Sequence, residues 1–507
     1  METQSSAPMP APFRPAPPHV VIVGGGLAGL AAASSLVERG LRITLLESRP
    51  RLGGRASSFN DPTTGEPVDN CQHVSMACCT NLADFCQRVG TDHLFRREDA
   101  VVFLSPQGRI SRLRAGWLPA PLHLSGSFLQ ANYLSFLEKL RVAFGLARLV
   151  RLRDPRISEP LENWLRRNGQ TDGTINHYWA PVLVSALNER LDQMDVGHAR
   201  KVFLDGFLRT REGFQIEIPL VPLGELYGTR LERWLTDHEV EVRLTTGIRQ
   251  VEADEEGAVT GVILRSGERI AADFVVLAVP FDRVGSLLGE PLRQRVGSLE
   301  SLGSIAAAPI TGIHLWFDRP VCPYDHVVTL GRTVQWVFNH TAIQGRRPGD
   351  AESGQYLQLV VSAAYDLAPL DKTTIRDRAL ADIEAIWPAA KEAKLLRWWV
   401  VTEHGATFAV RPGIEDLRPP QRTEVEGLFL AGDWTDTGWP ATMEGAVRSG
   451  YFAAEEVLRD LGRPTRLVRS GPRPGWLSRW LLGQEHDSRA AYQRGAIRHL
   501  PSIGKRL

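Results

Sequence analysis

The stretch from His19 to Arg55 constrains the fold of this 507-residue chain more than any other. It begins with Val20–Val23, a run of β-branched residues that is typical of a buried strand. The pattern G-x-G-x-x-G follows at once, and leucine and alanine then recur at helical spacing. A second strand is predicted over Arg42–Leu46, with Glu47 at its end. This order of strand, glycine-rich turn, helix, strand and acid predicts a Rossmann-like dinucleotide-binding unit.

The glycines of the turn and the first helical residues have separate expected roles. Gly24 makes the tight turn, Gly26 lets the backbone approach a pyrophosphate, and Gly29 lets the helix pack closely on the strand. Leu27 and Ala28 stand where the helix begins, and N–H groups at a helix start attract phosphate. The turn is therefore a predicted pyrophosphate site.

The residues that follow indicate which dinucleotide is bound. Glu47 is placed to accept hydrogen bonds from a ribose diol, and Arg51-Leu52-Gly53-Gly54-Arg55 comes shortly after it. This arrangement resembles the E-x-x-x-R-x-G-G-R signature of the flavin amine oxidase and phytoene desaturase superfamily. The resemblance implies that the cofactor is FAD and that this segment lines it. The lining residues implied in this way are Glu47, Ser48, Arg49, Gly53, Gly54 and Arg55.

A second fingerprint lies near the end of the chain. Gly432 and Asp433 end a predicted strand, and residues 438–450 read GWPATMEGAVRSG. Both resemble the closing FAD motif of the same superfamily, which implies that Asp433 bonds the ribityl or phosphate region. The helix start at Ala441, Thr442 and Met443 would then face the flavin, where its positive end stabilises a reduced anionic ring. The resemblance also places the backbone of Val251 against the adenine, and the absence of cysteine from this region implies a non-covalent flavin.

The loop Asp69–Val74 suggests a subfamily. Its sequence D-N-C-Q-H-V resembles the D-x-G-Q-H-V loop of hydroxysqualene dehydroxylases, flavoproteins of bacterial hopanoid biosynthesis, with Cys71 where glycine is usual. The resemblance implies reductive removal of a hydroxyl from hydroxysqualene to give squalene. Reduced FAD would donate hydride to an allylic, cation-like carbon, and an acid would help water to leave. The candidates for that acid are His73, Asp69 and Glu444.

Three other functions stay open at this point. A phytoene or carotenoid-type desaturase would run hydride transfer in the opposite direction. A flavin amine oxidase would need an aromatic cage, of which Trp439 offers one side. A prenyl-binding protein that resembles GDP-dissociation inhibitors would use no flavin. For the enzyme we expect a long apolar isoprenoid as substrate and an electron donor that the sequence does not identify.

The expected fold class is α/β, with a discontinuous Rossmann-like FAD-binding domain and an α+β substrate domain of mixed sheet and helices, as in amine oxidases. The motifs divide the chain into a proline-rich leader, the three parts of the FAD-binding domain, the two parts of the substrate domain and a basic tail. The corresponding ranges are 1–18; 19–105, 213–300 and 405–461; 106–212 and 301–404; and 462–507.

Composition excludes several other classes. The formal net charge of +1 argues against wholesale nucleic-acid binding. The spacing C-x6-CC-x6-C over residues 71–86 differs from the C-x2-C pairs of zinc sites, so we predict small buried side chains and no metal. No signal peptide is recognisable and no apolar run approaches about 18 residues, which leads us to expect a cytoplasmic protein.

Two basic segments raise the question of contact with the inner face of the membrane. Arginines at 141, 148, 151, 153 and 156 surround apolar residues at helical spacing, and Trp476, Trp480 and Leu481 lie within the basic tail. Basic amphipathic segments of this kind bind anionic lipid surfaces. A solvated helix face in the first segment, and a disordered tail in the second, are the alternatives.

Overall fold

The structure is a computed structural model that describes residues 16–152, 158–345 and 354–483. Most of the leader, Arg153 and Arg156 of the basic segment, and the tail from residue 484 onward lie outside the described residues.

Strands make up the sheets of two domains. In chain order they are β1 (His19–Val23), β2 (Arg42–Leu46), β3 (Ser58–Asn60), β4 (Pro67–Asp69), β5 (Ser75–Met76), β6 (Phe95–Glu98), β7 (Ala100–Leu104), β8 (Ile110–Arg114), β9 (Ile216–Pro219), β10 (Glu241–Arg243), β11 (Ile248–Ala253), β12 (Val259–Leu264), β13 (Arg269–Ala271), β14 (Phe274–Leu277), β15 (Ala307–Phe317), β16 (His326–Thr329), β17 (Trp336–Asn339), β18 (Gln355–Ser362), β19 (Leu395–Phe408) and β20 (Leu428–Leu430).

Helices cover the sheets and form most of the segment between β8 and β9. In chain order they are α1 (Leu27–Val37), α2 (Thr80–Arg88), α3 (Ser125–Gln130), α4 (Phe136–Val150), α5 (Leu161–Arg167), α6 (Asp172–Thr174), α7 (Ala180–Leu187), α8 (Val196–Lys201), α9 (Arg230–Asp237), α10 (Phe281–Val284), α11 (Glu290–Arg295), α12 (His340–Ile343), α13 (Lys372–Ile386), α14 (Ala389–Glu392), α15 (Ile414–Leu417), α16 (Met443–Asp460) and α17 (Trp476–Leu482). Wider π-helical turns occupy Ile175–Trp179, Val202–Leu208 and Glu225–Thr229.

A five-stranded parallel sheet carries the first glycine motif. Its order is β10-β2-β1-β14-β20, so β1 lies at the centre between strands from distant parts of the chain. All five residues of β1 are buried, and its alternate side chains enter two different hydrophobic cores. Burial on both faces explains the uninterrupted β-branched run. The predicted α/β class agrees with this order, and the sheet combines strands from three separate parts of the chain.

A second, seven-stranded mixed sheet has the order β19-β15-β18-β17-β16-β7-β8, and most of its strands come from the segments predicted for the substrate domain. The strand Ala100–Leu104 belongs here, because it pairs in parallel with β16 and in antiparallel with β8. The sequence placed it in the FAD-binding domain by ending that segment at residue 105, which is wrong. A hairpin with a short turn keeps both strands in one sheet, so the boundary falls before the hairpin. Similarly, β19 continues in this sheet to Phe408, beyond the predicted boundary at 404.

Among the described residues, no helix has the combination of length and apolarity needed to cross a bilayer.

Candidate active site

The turn after β1 has space for a ligand at one glycine and close packing at the other two. A Cβ atom on Gly24, whose φ is +114°, would lie 2.3 Å from the carbonyl oxygen of Ala278. A Cβ on Gly29 would lie 2.0 Å from the carbonyl oxygen of Gly24. At Gly26 the nearest atom to such a Cβ is the Cα of Gly54, at 3.9 Å. Two glycines therefore pack the turn, while Gly26 leaves the backbone open to a bound group.

A second glycine turn lies directly beside the first. Gly53 and Gly54 have φ angles of +96° and +61°, and the N–H of Gly53 donates to the carbonyl oxygen of Gly25 at 2.8 Å. Helix α1 begins here with Gly26 as its N-cap, without any side-chain cap. The first N–H groups of α1 thus remain available to an anion. Bare backbone from two turns around an uncapped helix start fits the pyrophosphate of a dinucleotide.

We call the two glycine turns, with the helices α1 and α16 that pack beside them, the FAD cradle. Glu47 is held at its edge. Its Oε2 accepts from the N–H of Gly25 at 2.7 Å, and its Oε1 accepts from the N–H of Arg49 at 2.8 Å and from the hydroxyl of Ser48 at 3.2 Å. Each carboxylate oxygen has two lone pairs, so the carboxylate can still accept from a ribose. Val251 is buried in β11 and pairs with Val262. The ribose and adenine contacts of these residues remain predictions.

An ion pair joins the first motif to the last. Arg55 Nη2 donates to Asp433 Oδ1 at 2.6 Å, and its Nη1 donates to the carbonyl oxygen of Ala406 at 2.8 Å. Burial lowers the pKa of Arg55, whereas the carboxylate of Asp433, with those of Glu403 and Asp282, raises it, and the net shift is upward. Next to Asp433, the N–H of Gly432 donates to the hydroxyl of Ser449 at 2.8 Å. Residues 378 positions apart thus meet at one site, as both fingerprints predict.

The closing helix begins beside this ion pair. Thr442 is the N-cap of α16 and accepts from the N–H of Gly445 at 3.1 Å, which fixes the helix start after Ala441. The sulfur of Met443 accepts from the hydroxyl of Tyr227 at 3.8 Å. Farther along, a Cβ on Gly450 would lie 2.1 Å from the carbonyl oxygen of Ala28. Helices α1 and α16 therefore pack against each other at bare backbone, close to the start of α1.

The three candidate acids do not form one cluster: no hydrogen bond joins them to one another in the described part of the chain. Asp69 lies on β4, where its Oδ1 accepts from the hydroxyl of Ser58 at 2.6 Å and from the N–H of Leu223 at 2.8 Å. Burial outweighs both hydrogen bonds and raises the pKa of Asp69 to about 6. This carboxyl can therefore hold a proton close to neutral pH.

The hydrogen-bond partners of Glu444 indicate a structural role. Its Oε2 accepts from the N–H of Leu82 at 2.7 Å and from the N–H of Asn81 at 2.9 Å, and its Oε1 accepts from Asn81 Nδ2 at 2.7 Å. These groups lie at the start of α2, where the cap residue Cys79 makes no side-chain bond. Burial raises the pKa of Glu444, with the charge of Arg448 opposing. Glu444, which lies on α16, therefore caps the start of α2.

His73 is held as a neutral ring. Its Nδ1 lies 2.9 Å from the carbonyl oxygen of Cys71, and a carbonyl only accepts, so Nδ1 carries the proton. Burial lowers the pKa of His73, the Cys71 carbonyl raises it and the charge of Arg55 lowers it, with a net decrease. The other nitrogen, Nε2, is then an acceptor. His73 is suited to accept a proton rather than to supply one.

Sequence reasoning did not find the polar groups behind this loop. His340 Nε2 lies 2.7 Å from Gln72 Oε1, while Gln72 Nε2 donates to the carbonyl oxygen of His73 at 3.1 Å. His314 Nδ1 lies 2.7 Å from the hydroxyl of Tyr356. Burial lowers the pKa of His340 to about 4 and that of His314 to about 3. The signal was a histidine inside the apolar run of β15, where a buried polar group needs a partner.

The cysteines carry no assembled site in the described residues. All five are free, with Cys78, Cys86 and Cys322 buried and Cys71 and Cys79 half-buried. Burial raises the pKa of Cys71 and of Cys86 to about 12. Thiols of this kind behave as small apolar side chains. Within the same residues, His, Cys, Asp and Glu side chains form no group that could hold a metal ion.

Comparison with known proteins agrees with this geometry. The 15-cis-phytoene desaturase of Arabidopsis thaliana is 28% identical over 494 residues, covering 92% of this chain and 83% of that protein. The zeta-carotene desaturase of Synechocystis sp. is 26% identical and covers 88% of this chain and 98% of its own length.

Solved structures share the fold. An oxidoreductase from Methanosarcina mazei superposes with a TM-score of 0.65 at 17% identity, over 87% of this chain and 100% of that chain. Cyclohexylamine oxidase from Brevibacterium oxydans superposes with a TM-score of 0.63 at 20% identity, over 88% and 100% of the two chains. Residues 27–458 match the family described as flavin containing amine oxidoreductase. The chain is therefore a member of the flavin containing amine oxidoreductase family, an oxidoreductase with FAD as its cofactor.

Proposed function

We propose that this enzyme acts on a long isoprenoid and removes the hydroxyl of hydroxysqualene reductively, giving squalene. The names of its relatives, phytoene and zeta-carotene desaturases, support an isoprenoid substrate. The resemblance of the loop Asp69–Val74 to hydroxysqualene dehydroxylases supports the reaction. One observation carries the proposal furthest: this loop contains a buried carboxyl, Asp69, whose pKa is raised to about 6.

The reaction needs a proton as well as a hydride. A C–O bond is replaced by a C–H bond, so one hydride and one proton enter and water leaves. FAD in its reduced state supplies the hydride when it is bound. Asp69 is the candidate for the proton, because Oδ1 is occupied by two donors and Oδ2 can carry the hydrogen. Glu444 is a weaker candidate, since three N–H donors already occupy its two oxygens.

A phytoene-type desaturase is the second candidate. It would oxidise the isoprenoid and would need a proton acceptor instead of an acid. The neutral ring of His73, with its proton on Nδ1, supports this alternative because Nε2 is left as an acceptor. The named relatives support it equally.

An amine oxidase is less well supported. Trp439, the aromatic residue that the sequence offers for an amine cage, already interacts with cations of the protein. The Lys201 ammonium lies 4.5 Å from its ring centroid, and the Arg448 guanidinium lies 5.9 Å from it. A prenyl-binding protein without flavin does not agree with the family and its cofactor.

The two isoprenoid reactions can be separated directly. We would incubate the purified enzyme without oxygen, with a chemical reductant and hydroxysqualene, and analyse the lipids by chromatography. Squalene is the expected product, and the Asp69→Asn variant should form it much more slowly with FAD still bound. In a parallel reaction, the oxidised enzyme receives phytoene and a quinone acceptor. Desaturated product there, with no squalene in the first reaction, would replace this proposal with the second candidate.

A surface of exposed apolar residues supports access to a substrate dissolved in lipid. We call this surface the apolar face. Its members share high exposure and come from two stretches of the chain: Trp117, Leu122, Leu129, Phe136, Leu137, Leu140 and Phe144 from the first, and Trp476, Trp480 and Leu481 from the second.

Both stretches pack on one segment, residues 200–211. The hydroxyl of Ser478 donates to the carbonyl oxygen of Leu208 at 3.0 Å, and Arg211 donates to that of Leu118 at 3.1 Å. The exposed arginines Arg141 and Arg479 stand among these residues. We propose that an anionic bilayer surface covers the apolar face, because apolar side chains flanked by cations suit it.

A further inference from the structure

The loop Asp69–Val74 lies against one face of the seven-stranded sheet. Gly312 of β15 marks the contact, because a Cβ atom on it would lie 2.8 Å from the carbonyl oxygen of Asn70. The next residue of β15 enters a hydrophobic core on the opposite face, so His314 stands on the same face as Gly312. The backbones of loop and sheet therefore meet directly, with polar side chains beside the contact.

Two hydrogen bonds in series tie the loop to this sheet. Gln72 Nε2 donates to the carbonyl oxygen of His73 at 3.1 Å. A carbonyl only accepts, so the amide nitrogen of Gln72 faces His73 and its Oε1 faces His340 Nε2, at 2.7 Å. The proton in this second bond therefore belongs to His340 Nε2. Burial lowers the pKa of His340 to about 4, so at neutral pH its ring donates this bond without carrying a charge.

These bonds lie behind the loop, whereas His73 lies near the FAD motifs. The side chains of Gln72 and His340 are both buried, but His73 is half-buried. Burial lowers the pKa of His73 most, and the charge of Arg55 lowers it further. Arg55 in turn pairs with Asp433 of the closing FAD motif. His73 is therefore close enough to this ion pair for the charge of Arg55 to act on its ring.

We propose that Gln72 and His340 are positioning residues of this site, which hold the loop so that His73 presents its Nε2 as a hydrogen-bond acceptor. His73 keeps its own proton on Nδ1 through the carbonyl of Cys71, which belongs to the same loop. In the proposed dehydroxylation, Nε2 accepts from the hydroxyl of the substrate and orients it. In the alternative desaturation, it accepts the proton that leaves the isoprenoid. The kinetic consequence rests on the proposed function, whereas the hydrogen-bond arrangement does not.

NMR of the histidine rings in the full-length holoenzyme tests the arrangement without any substrate. The protein is labelled with nitrogen-15 histidine, and the variants His73→Phe and His340→Phe identify the two ring signals by their loss. The wild type should show His340 protonated on Nε2 and His73 protonated on Nδ1. Gln72→Leu and His340→Phe should each change the His73 signal toward a mixture of both tautomers. A His73 signal that neither variant changes would overturn the proposal.

A matched control comes from the same sheet. His326 is a buried histidine of β16, and its Nε2 lies 3.2 Å from the carbonyl oxygen of Ala100. His326→Phe therefore removes a buried ring and one hydrogen bond without touching the bonds of Gln72. It should leave the signals of His73 and His340 unchanged, and a change equal to that in Gln72→Leu would contradict the proposal.

Kinetics with hydroxysqualene test the consequence for the reaction. Gln72→Leu and His340→Phe should each lower kcat about tenfold or more, with KM and FAD content close to those of the wild type, because the substrate binds but its hydroxyl is misoriented. The double variant should be no slower than the slower single variant, since both changes break the same series of bonds. His340→Gln should recover most of kcat, because its amide can donate to Gln72 Oε1.

The other outcomes separate this proposal from the proposed function. Additive losses in the double variant, or losses of FAD and melting temperature in step with kcat, would make both residues merely structural and contradict the proposal. If His340→Phe does not fold, Gln72→Leu and His340→Gln are judged by the same criteria. Absence of squalene with the wild type would reject the proposed reaction alone. The same variants are then compared with phytoene, where the loss of kcat is expected as well, and the NMR result stands in either case.

Discussion

The FAD cradle and the apolar face use side chains in opposite ways. In the cradle, the absence of side chains is what matters. Gly26 and Gly54 allow two backbones to approach, and Gly450 allows α16 to contact α1. In the apolar face, large side chains such as Phe136 and Trp480 are present and exposed. Substitutions in the cradle should therefore affect folding or cofactor, whereas substitutions in the face should affect only an external partner. Stability therefore depends on the close-packed glycines of the cradle and not on the exposed side chains of the apolar face.

The largest effect is expected where helices α1 and α16 meet. Gly450→Val should destabilise the protein by about 3 kcal/mol or more, because its Cβ would lie 2.1 Å from the carbonyl oxygen of Ala28. Thermal unfolding followed by circular dichroism measures this. Gly126→Val is the control, since a Cβ on Gly126 meets no atom within 4 Å. Equal loss in both variants would show that the close contact of α1 and α16 does not control stability.

A pH-dependent effect of similar size is expected at Asp69. Its pKa is about 6 in the folded protein and 3.8 for an ordinary aspartate, so the folded state binds the proton more tightly. The contribution of Asp69 to the free energy of unfolding should then fall as pH rises from about 4 to about 6. Asp69→Asn lacks this titration, so its stability relative to the wild type should increase by about 3 kcal/mol over that range. Denaturant unfolding at several pH values measures both, and parallel pH profiles would contradict the raised pKa.

A smaller loss is expected at Glu444. Glu444→Gln keeps one oxygen for the N–H groups of Asn81 and Leu82, but it places an amide NH2 against Asn81 Nδ2, so the side-chain bond between α16 and the start of α2 is lost. We expect a loss of about 2 kcal/mol. Unfolding and turnover of the flavin-loaded enzyme are measured together. Full stability with abolished turnover would move Glu444 from the structural role to the catalytic one.

The smallest effect on stability is expected in the apolar face. Phe136→Ser with Leu140→Ser should change the free energy of unfolding by less than about 0.5 kcal/mol, because both side chains are exposed. Binding to anionic vesicles should weaken at least about tenfold through lost apolar contact with lipid. Leu396→Ser is the matched control, since Leu396 is 59% exposed but lies on β19, outside the apolar face. Unchanged vesicle binding in the double variant would disprove lipid contact at this surface.

The local sequence pattern predicted the glycine turns of the cradle better than it predicted the hydrogen bonds of the polar groups around them. The roles of Gly24 and Gly29 follow from a single strand–turn–helix unit, so a short stretch of sequence was enough. The cap that Glu444 gives to α2 joins groups 362 and 363 residues apart, and the contact of His340 with Gln72 spans 268 residues. Periodicity carries no information on such distant pairs. The hairpin of Ala100–Leu104 with β8 is local, but the strand that joins this hairpin to the larger sheet, β16, comes far later in the chain, so its domain could not be assigned from local pattern.

The content of FAD in a Gly26→Val variant tests the central claim most directly. Because a Cβ on Gly26 meets no atom closer than 3.9 Å, the variant should fold with the circular dichroism and melting temperature of the wild-type apoprotein. The wild type should be yellow and release equimolar FAD on denaturation, whereas the variant should be colourless, since its added methyl groups occupy the place of the pyrophosphate. A folded Gly26→Val protein with a full complement of FAD would contradict the account.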